Sequence, residues 1–203
     1  MVHKLTFPLA FLIPAMLVSG TDSARPIERA RDLYLKGVDG DRNATRQSSE
    51  IFRSLAKQRP HDPVIAAYLG SNDLLDSGRT LAVWKKGKLA KDGLTALDNA
   101  VASDPNSIEI RFVRAISTYH LPAFFKREQQ CESDLAAIAP KVGEAVVTGS
   151  LDKRLGAAAL FYYGLIRERK GDRKGAERAW RGAALTFPDT PAGAEAARRL
   201  RGA

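Results

Sequence analysis

Between Leu160 and Pro188 apolar and small residues recur at three- and four-residue intervals on both sides of a Lys170-Gly171-Asp172 break. That spacing is helical, because residues three and four apart share one face of an α-helix. It predicts a first helix ending at Lys170 and a second from Arg173 to Thr186. Gly164, Ala176 and Ala183 are small enough to let two helix axes approach closely, and Trp180 is large enough to plug the space between pairs. A chain with this pattern is predicted to pack helices in pairs.

No segment after the first 24 residues reads as an alternating strand. Helices are predicted over Pro26–Lys36, Asn43–Gln58, Pro63–Leu75, Gly93–Ser103, Ile108–Tyr119, Phe124–Ile138 and Pro191–Arg201. Pro26 and Pro63 sit in first turns, where proline is tolerated. Gly, Pro and Asp separate the helices at Gly37–Asp41, Pro60, Asp76-Ser77-Gly78, Asp104-Pro105-Asn106, Leu121-Pro122 and Pro140. Ser107 is placed to cap the helix that starts at Ile108. A basic stretch, Thr80–Ala90, contains Trp84. Residues Val38–Arg42 and Ser77–Asp92 are read as nonstandard loops, and Lys141–Ser150 as a helical turn or two. The last helix has a small-residue face (Ala194, Ala197) and a basic one (Arg198, Arg199, Arg201), as a terminal capping helix should.

Leu160–Pro188 resembles the tetratricopeptide repeat, a helix–turn–helix of about 34 residues with small residues at the crossing and a closing proline. Gly164, Ala176, Trp180, Ala183 and Pro188 match that pattern in register. Weaker copies precede it: Ser48, Phe52, Leu55 and Pro60, then Tyr68-Leu69-Gly70, then Leu97, Ala100 and Pro105. The central stretch, roughly Trp84 to Ile138, also resembles a group of exported bacterial proteins of tetratricopeptide-like fold. It carries their basic stretch, the Leu97–Val101 helix, Pro105, Arg111–Arg114 and the Leu121–Phe124 break. The resemblance implies an all-α fold, an α-α superhelix of three or four helix pairs with a C-terminal cap. It transfers no catalytic residue.

Residues 1–24 read as an address. Lys4 precedes an apolar run from Leu5 to Val18, interrupted by Pro8 and Pro14 and followed by polar residues. The run falls short of the ~20 apolar residues that span a bilayer. This is the form of a signal peptide, with Val18 and Gly20 as small residues before a cut after residue 20 or 24. Leu17-Val18-Ser19-Gly20 opens like a lipoprotein box, but Thr21 stands where the lipidated cysteine belongs. A single domain over residues 25–203, exported to a bacterial periplasm, is expected. The alternative is an uncleaved N-terminal anchor.

Composition narrows the chemistry. At 44% apolar and 27% charged residues the chain is ordinary globular material. The lone Cys131 excludes an internal disulfide, and with only His3, His61 and His120 the usual zinc or iron ligand sets are missing. No cofactor is expected. The formal charge of +9 suits anionic partners without choosing among them. From Asp152 to Ala203 there are twelve Lys/Arg against six Asp/Glu. That basic face (Arg167, Arg169, Lys170, Arg173, Lys174, Arg198, Arg199, Arg201) suits weak attraction to anionic lipid heads. No nucleic-acid motif accompanies it.

Arg111 and Arg114 fall where a helix of this type presents large apolar side chains. They are read as an anchor for an anion or peptide carboxylate, or else as structural ion pairs with Asp98, Asp104 or Asp134. Helix spacing places Phe112, Ile116, Tyr119, Phe161 and Leu165 towards a concave side, lining a binding groove or simply filling core. Cys131 lies mid-helix and reads as a small buried hydrophobe. Gly87-Lys88 lacks the rest of a phosphate-binding loop, and no catalytic constellation stands out. The expected function is a non-enzymatic scaffold or adaptor that binds a protein or peptide. The alternative is an auxiliary or ligand-binding subunit of a membrane transporter that recognises a small anion.

Overall fold

The computed structural model describes residues 24–202. Within them the fold is all-α, made of ten α-helices. These are α1 (Ala24–Val38), α2 (Arg42–Gln58), α3 (Pro63–Arg79), α4 (Val83–Ser103), α5 (Ile108–Tyr119), α6 (Glu128–Ile138), α7 (Val142–Val147), α8 (Lys153–Arg169), α9 (Arg173–Thr186) and α10 (Pro191–Gly202). A 3₁₀ turn at Ala123–Phe125 precedes α6, and a second at Ala139–Lys141 joins α6 to α7. The leader read at 1–24 lies outside the described residues apart from Ala24, which opens α1.

Five helices start where a side chain satisfies free amides, whereas α4, the longest, follows Ala82 without a side-chain cap. Asp41, Asp62, Ser107, Asp152 and Asp172 accept hydrogen bonds from first-turn N–H groups of α2, α3, α5, α8 and α9. Gly40 (φ 111°) and Gly171 (φ 77°) take the left-handed conformation that ends α1 and α8.

Consecutive helices pack as pairs, α1 with α2, α3 with α4, α5 with α6 and α8 with α9, and α10 lies against both α8 and α9. Glycines set the close crossings. A Cβ on Gly70 of α3 would meet Ala96 Cβ at 2.8 Å, and one on Gly93 of α4 would meet Gly70 O at 2.5 Å. The first helices of the pairs also touch in succession, α1 with α3, α3 with α5 and α5 with α8. One continuous core runs from Ala30 to Phe187. A smaller one, around Ala176, Trp180, Ala183 and Ala196, lies between α9 and α10.

One loop expectation and one helix start are corrected. Ser77–Asp92, expected as a nonstandard loop, is mostly helical: α3 continues to Arg79 and α4 begins at Val83, ten residues before Gly93. Lys85, Lys86, Leu89 and Ala90 are good helix formers, but residues 83–88 are exposed on every side. An exposed helix needs no apolar stripe, so periodicity could not reveal it. The helix expected from Phe124 starts only at Glu128. Lys126 takes a left-handed conformation (φ 54°) and separates the 3₁₀ turn from α6.

Candidate functional site

The end of the row of first helices lies close to its beginning. Arg154, near the start of α8, reaches back to the Asp32 carboxylate on α1 and also holds Asp152. A cavity of about 530 Å³ opens between α1, α5, α8 and α10. Leu35, Val38, Ile116, Ala158, Phe161 and Tyr162 form its apolar wall, with Pro191 and Ala192 closing it from α10. Charged groups mark its rim: Asp32, Lys36, Asp39, Arg154, Glu195 and Arg198. Most are already matched, Arg154 with the two aspartates and Arg198 with Glu195. Lys36 joins no ion pair among the described residues. Burial raises the Asp39 carboxyl, and it pushes the Tyr162 hydroxyl up to about 12.

Of the residues expected to line a groove, the structure brings Ile116 and Phe161 together in this wall. Phe112 is 0% exposed and belongs to the core, so it lines nothing. Leu165 packs against the smaller core at Trp180. Tyr119 lies on a separate, narrower hollow, with the Arg169 guanidinium 5.2 Å from its ring centroid. The spacing of α5 explains the split, since 112, 116 and 119 form a stripe that is buried at one end and open at the other.

Arg111 and Arg114 are held by Asp134 on α6, which is 1% exposed. Arg111 donates from Nη1 to Asp134 Oδ1 at 2.8 Å, and Arg114 from Nε to Oδ2 at 2.7 Å. Arg114 Nη1 also reaches Asp98 of α4 at 3.2 Å, and Arg127 donates to the same carboxylate at 2.8 Å. Arg111 Nε donates to the Pro105 carbonyl at 2.7 Å. Asp134 and Asp98 are thus the partners, and Asp104 is not. Carboxylates occupy both guanidinium groups, as a structural clamp across α4, α5 and α6 requires.

A second buried network escaped the sequence reading. Glu109 of α5 accepts from Arg31 Nε at 2.6 Å, Arg31 Nη2 at 2.7 Å and the Tyr68 hydroxyl at 2.7 Å. Beside it Ser117 donates to Ser71 at 2.6 Å, and Ser71 donates to the Tyr34 hydroxyl at 3.0 Å. Burial pushes Tyr34 up to about 12 and raises Tyr68 well above the ordinary phenol range. A signal was present: Glu109 lies three residues before Phe112 and seven before Ile116, on the apolar stripe of its own helix. A carboxylate there calls for a buried cation.

Cys131 is buried and donates from Sγ to the Ala115 carbonyl at 3.2 Å. Burial pushes its thiol up to about 12, so it stays protonated at neutral pH. Among the described residues no group of His, Cys, Asp and Glu is arranged to hold a metal ion. No family model, curated protein or solved structure matches this chain.

Proposed function

We propose that this chain is an exported, tetratricopeptide-like adaptor whose cavity between α1, α5, α8 and α10 receives an apolar side chain of a protein or peptide partner. The cavity carries the reading. Its size falls within the ~300–1,000 Å³ of typical ligand pockets, and an apolar wall under a polar rim suits an anchor residue flanked by backbone. The paired helices, with Gly164 and Trp180 at a crossing, support the family assignment. Export rests on the form of residues 1–24. The rim charges favour a peptide over a small anion, because Arg154 and Arg198 are spent on internal carboxylates.

Panning a random peptide display library tests this. Peptides sharing an apolar anchor should emerge, and Ala192→Trp, which fills the cavity from α10, should weaken them at least about tenfold while leaving the helical circular dichroism intact. An absence of enrichment, or affinity indifferent to Ala192→Trp, overturns the proposal. Thermal stabilisation by a small carboxylate, abolished by Lys36→Ala, would support the transporter-subunit alternative instead.

A further inference from the structure

The first turns of α4 project from the helix stack. Leu81 is 98% exposed, Val83 79% and Trp84 78%, among the most exposed large apolar side chains described. Isolated apolar side chains on a surface need no explanation, but three within four residues at one tip do. Four lysines follow at once: Lys85, Lys86, Lys88 and Lys91. Lys88 is paired with Asp92, whereas the other three join no ion pair among the described residues. Successive helix residues turn by about 100° around the axis, so lysines at 85, 86, 88 and 91 ring the helix instead of forming one stripe. Beside them the 3₁₀ turn packs on α4 over a shallow hollow lined by Gly87, Lys91 and Phe124, and Phe124 is 75% exposed. Lys126 extends the charge.

We propose that this tip is a docking site for an anionic lipid bilayer. The chemistry of the tip supports that occupant. Tryptophan prefers the zone between headgroups and acyl chains, where its ring is apolar and its N–H stays wet. Leucine and valine enter the same layer, and lysines around the stem meet phosphates in the plane above. A convex tip ringed by cations fits a headgroup plane better than it fits the pocket of an acidic protein. The more obvious basic face, on α8 to α10, is less available. Arg167, Lys170, Arg198 and Arg199 are paired there with Asp172, Glu132, Glu195 and Glu168. No helix among the described residues is long and apolar enough to cross a membrane, so this part of the chain meets a bilayer at its surface. The site is separate from the cavity and does not depend on the adaptor reading.

The test uses the full chain and vesicles of phosphatidylglycerol mixed with phosphatidylcholine, with phosphatidylcholine alone as control. Any contribution from residues 1–23 is common to all variants and cancels between them. Trp84 and Trp180 are the two tryptophans, and Trp180 is already 2% exposed, so a blue shift on adding vesicles reports Trp84. Anionic vesicles should give the shift, salt should reverse it, and Trp84→Phe should abolish it. The double variant Lys85→Glu/Lys86→Glu should weaken sedimentation with the vesicles at least about tenfold. These positions are exposed, and unchanged circular dichroism shows that the fold is kept. Sedimentation equal across all variants overturns the proposal, as does equal binding to neutral vesicles. A Trp84 shift of the same size with soluble polyglutamate also overturns it, in favour of an acidic protein partner.

Discussion

Gly164 of α8 lies directly under the indole of Trp180 on α9: a methyl added at Gly164 would come within 2.5 Å of Trp180 Cδ1. The indole Nε1 donates to the Phe161 carbonyl at 3.2 Å, one turn earlier on α8. The glycine therefore makes room for an aromatic ring that also ties the two helices by a hydrogen bond. Gly164→Ala should cost about 1–3 kcal/mol, although alanine is the better helix former, because overpacking outweighs propensity here. Urea unfolding checks this, and a stabilised variant would show that the ring can shift aside.

Asp134 should matter more than either arginine it holds. Asp134→Ala leaves Arg111 and the inner side of Arg114 without a carboxylate, and should cost about 3 kcal/mol. Arg111→Leu leaves Asp134 paired with Arg114 and should cost only about 1 kcal/mol. The order of the two losses in denaturant titrations is the test. A larger loss for Arg111→Leu would contradict the clamp.

Arg31→Met should strand the Glu109 carboxylate between Tyr68 and the core. A loss of about 3 kcal/mol is expected, and Glu109→Gln in the same chain should recover part of it by removing the charge. A double-mutant cycle with no coupling would show that the pair is inert.

Alkali should unfold the protein early. Tyr34 and Tyr162 are pushed by burial up to about 12, above an unfolded value of about 10. The folded state thus favours the neutral phenol. Its contribution is complete below pH ~10 and is lost as the pH rises towards the folded values. Melting temperatures should fall steeply over that window, and Tyr34→Phe should flatten the fall.

Acid acts through Asp152, a half-buried carboxylate that caps α8. Burial raises it, yet the Arg154 guanidinium and the amides opening α8 outweigh burial and hold it below the usual carboxylate range. Its contribution is present above pH ~4 and lost as the pH falls through the lower folded value. Asp152→Ala should cost about 1 kcal/mol at neutral pH and less at pH ~3. A constant cost would mean that the cap acts without its charge.

Helix boundaries are local and were mostly legible. The α5 and α9 ranges follow directly from residue spacing and punctuation, and the small residues at 164 and 183 and the ring at 180 announce a close crossing. Where a helix leaves the stack, as α4 does over residues 83–88, it has no buried face, and the sequence carries no stripe to read. The site was legible only in part. Ile116 and Phe161 could be named from helix spacing, while Phe112, on the same helix, is core because α5 turns that end inward.

The sequence by itself determined that the chain is helical, where most helices lie and which residues let them cross. Those properties depend on contacts three or four residues apart. Only the tertiary structure decided that Arg154 meets Asp32, that Asp134 gathers Arg111 and Arg114, and that Glu109 is answered by Arg31. Such pairings depend on the rotation of each helix about its axis and on how each helix packs against its neighbours. A small change in either exchanges one partner for another while leaving the local pattern untouched.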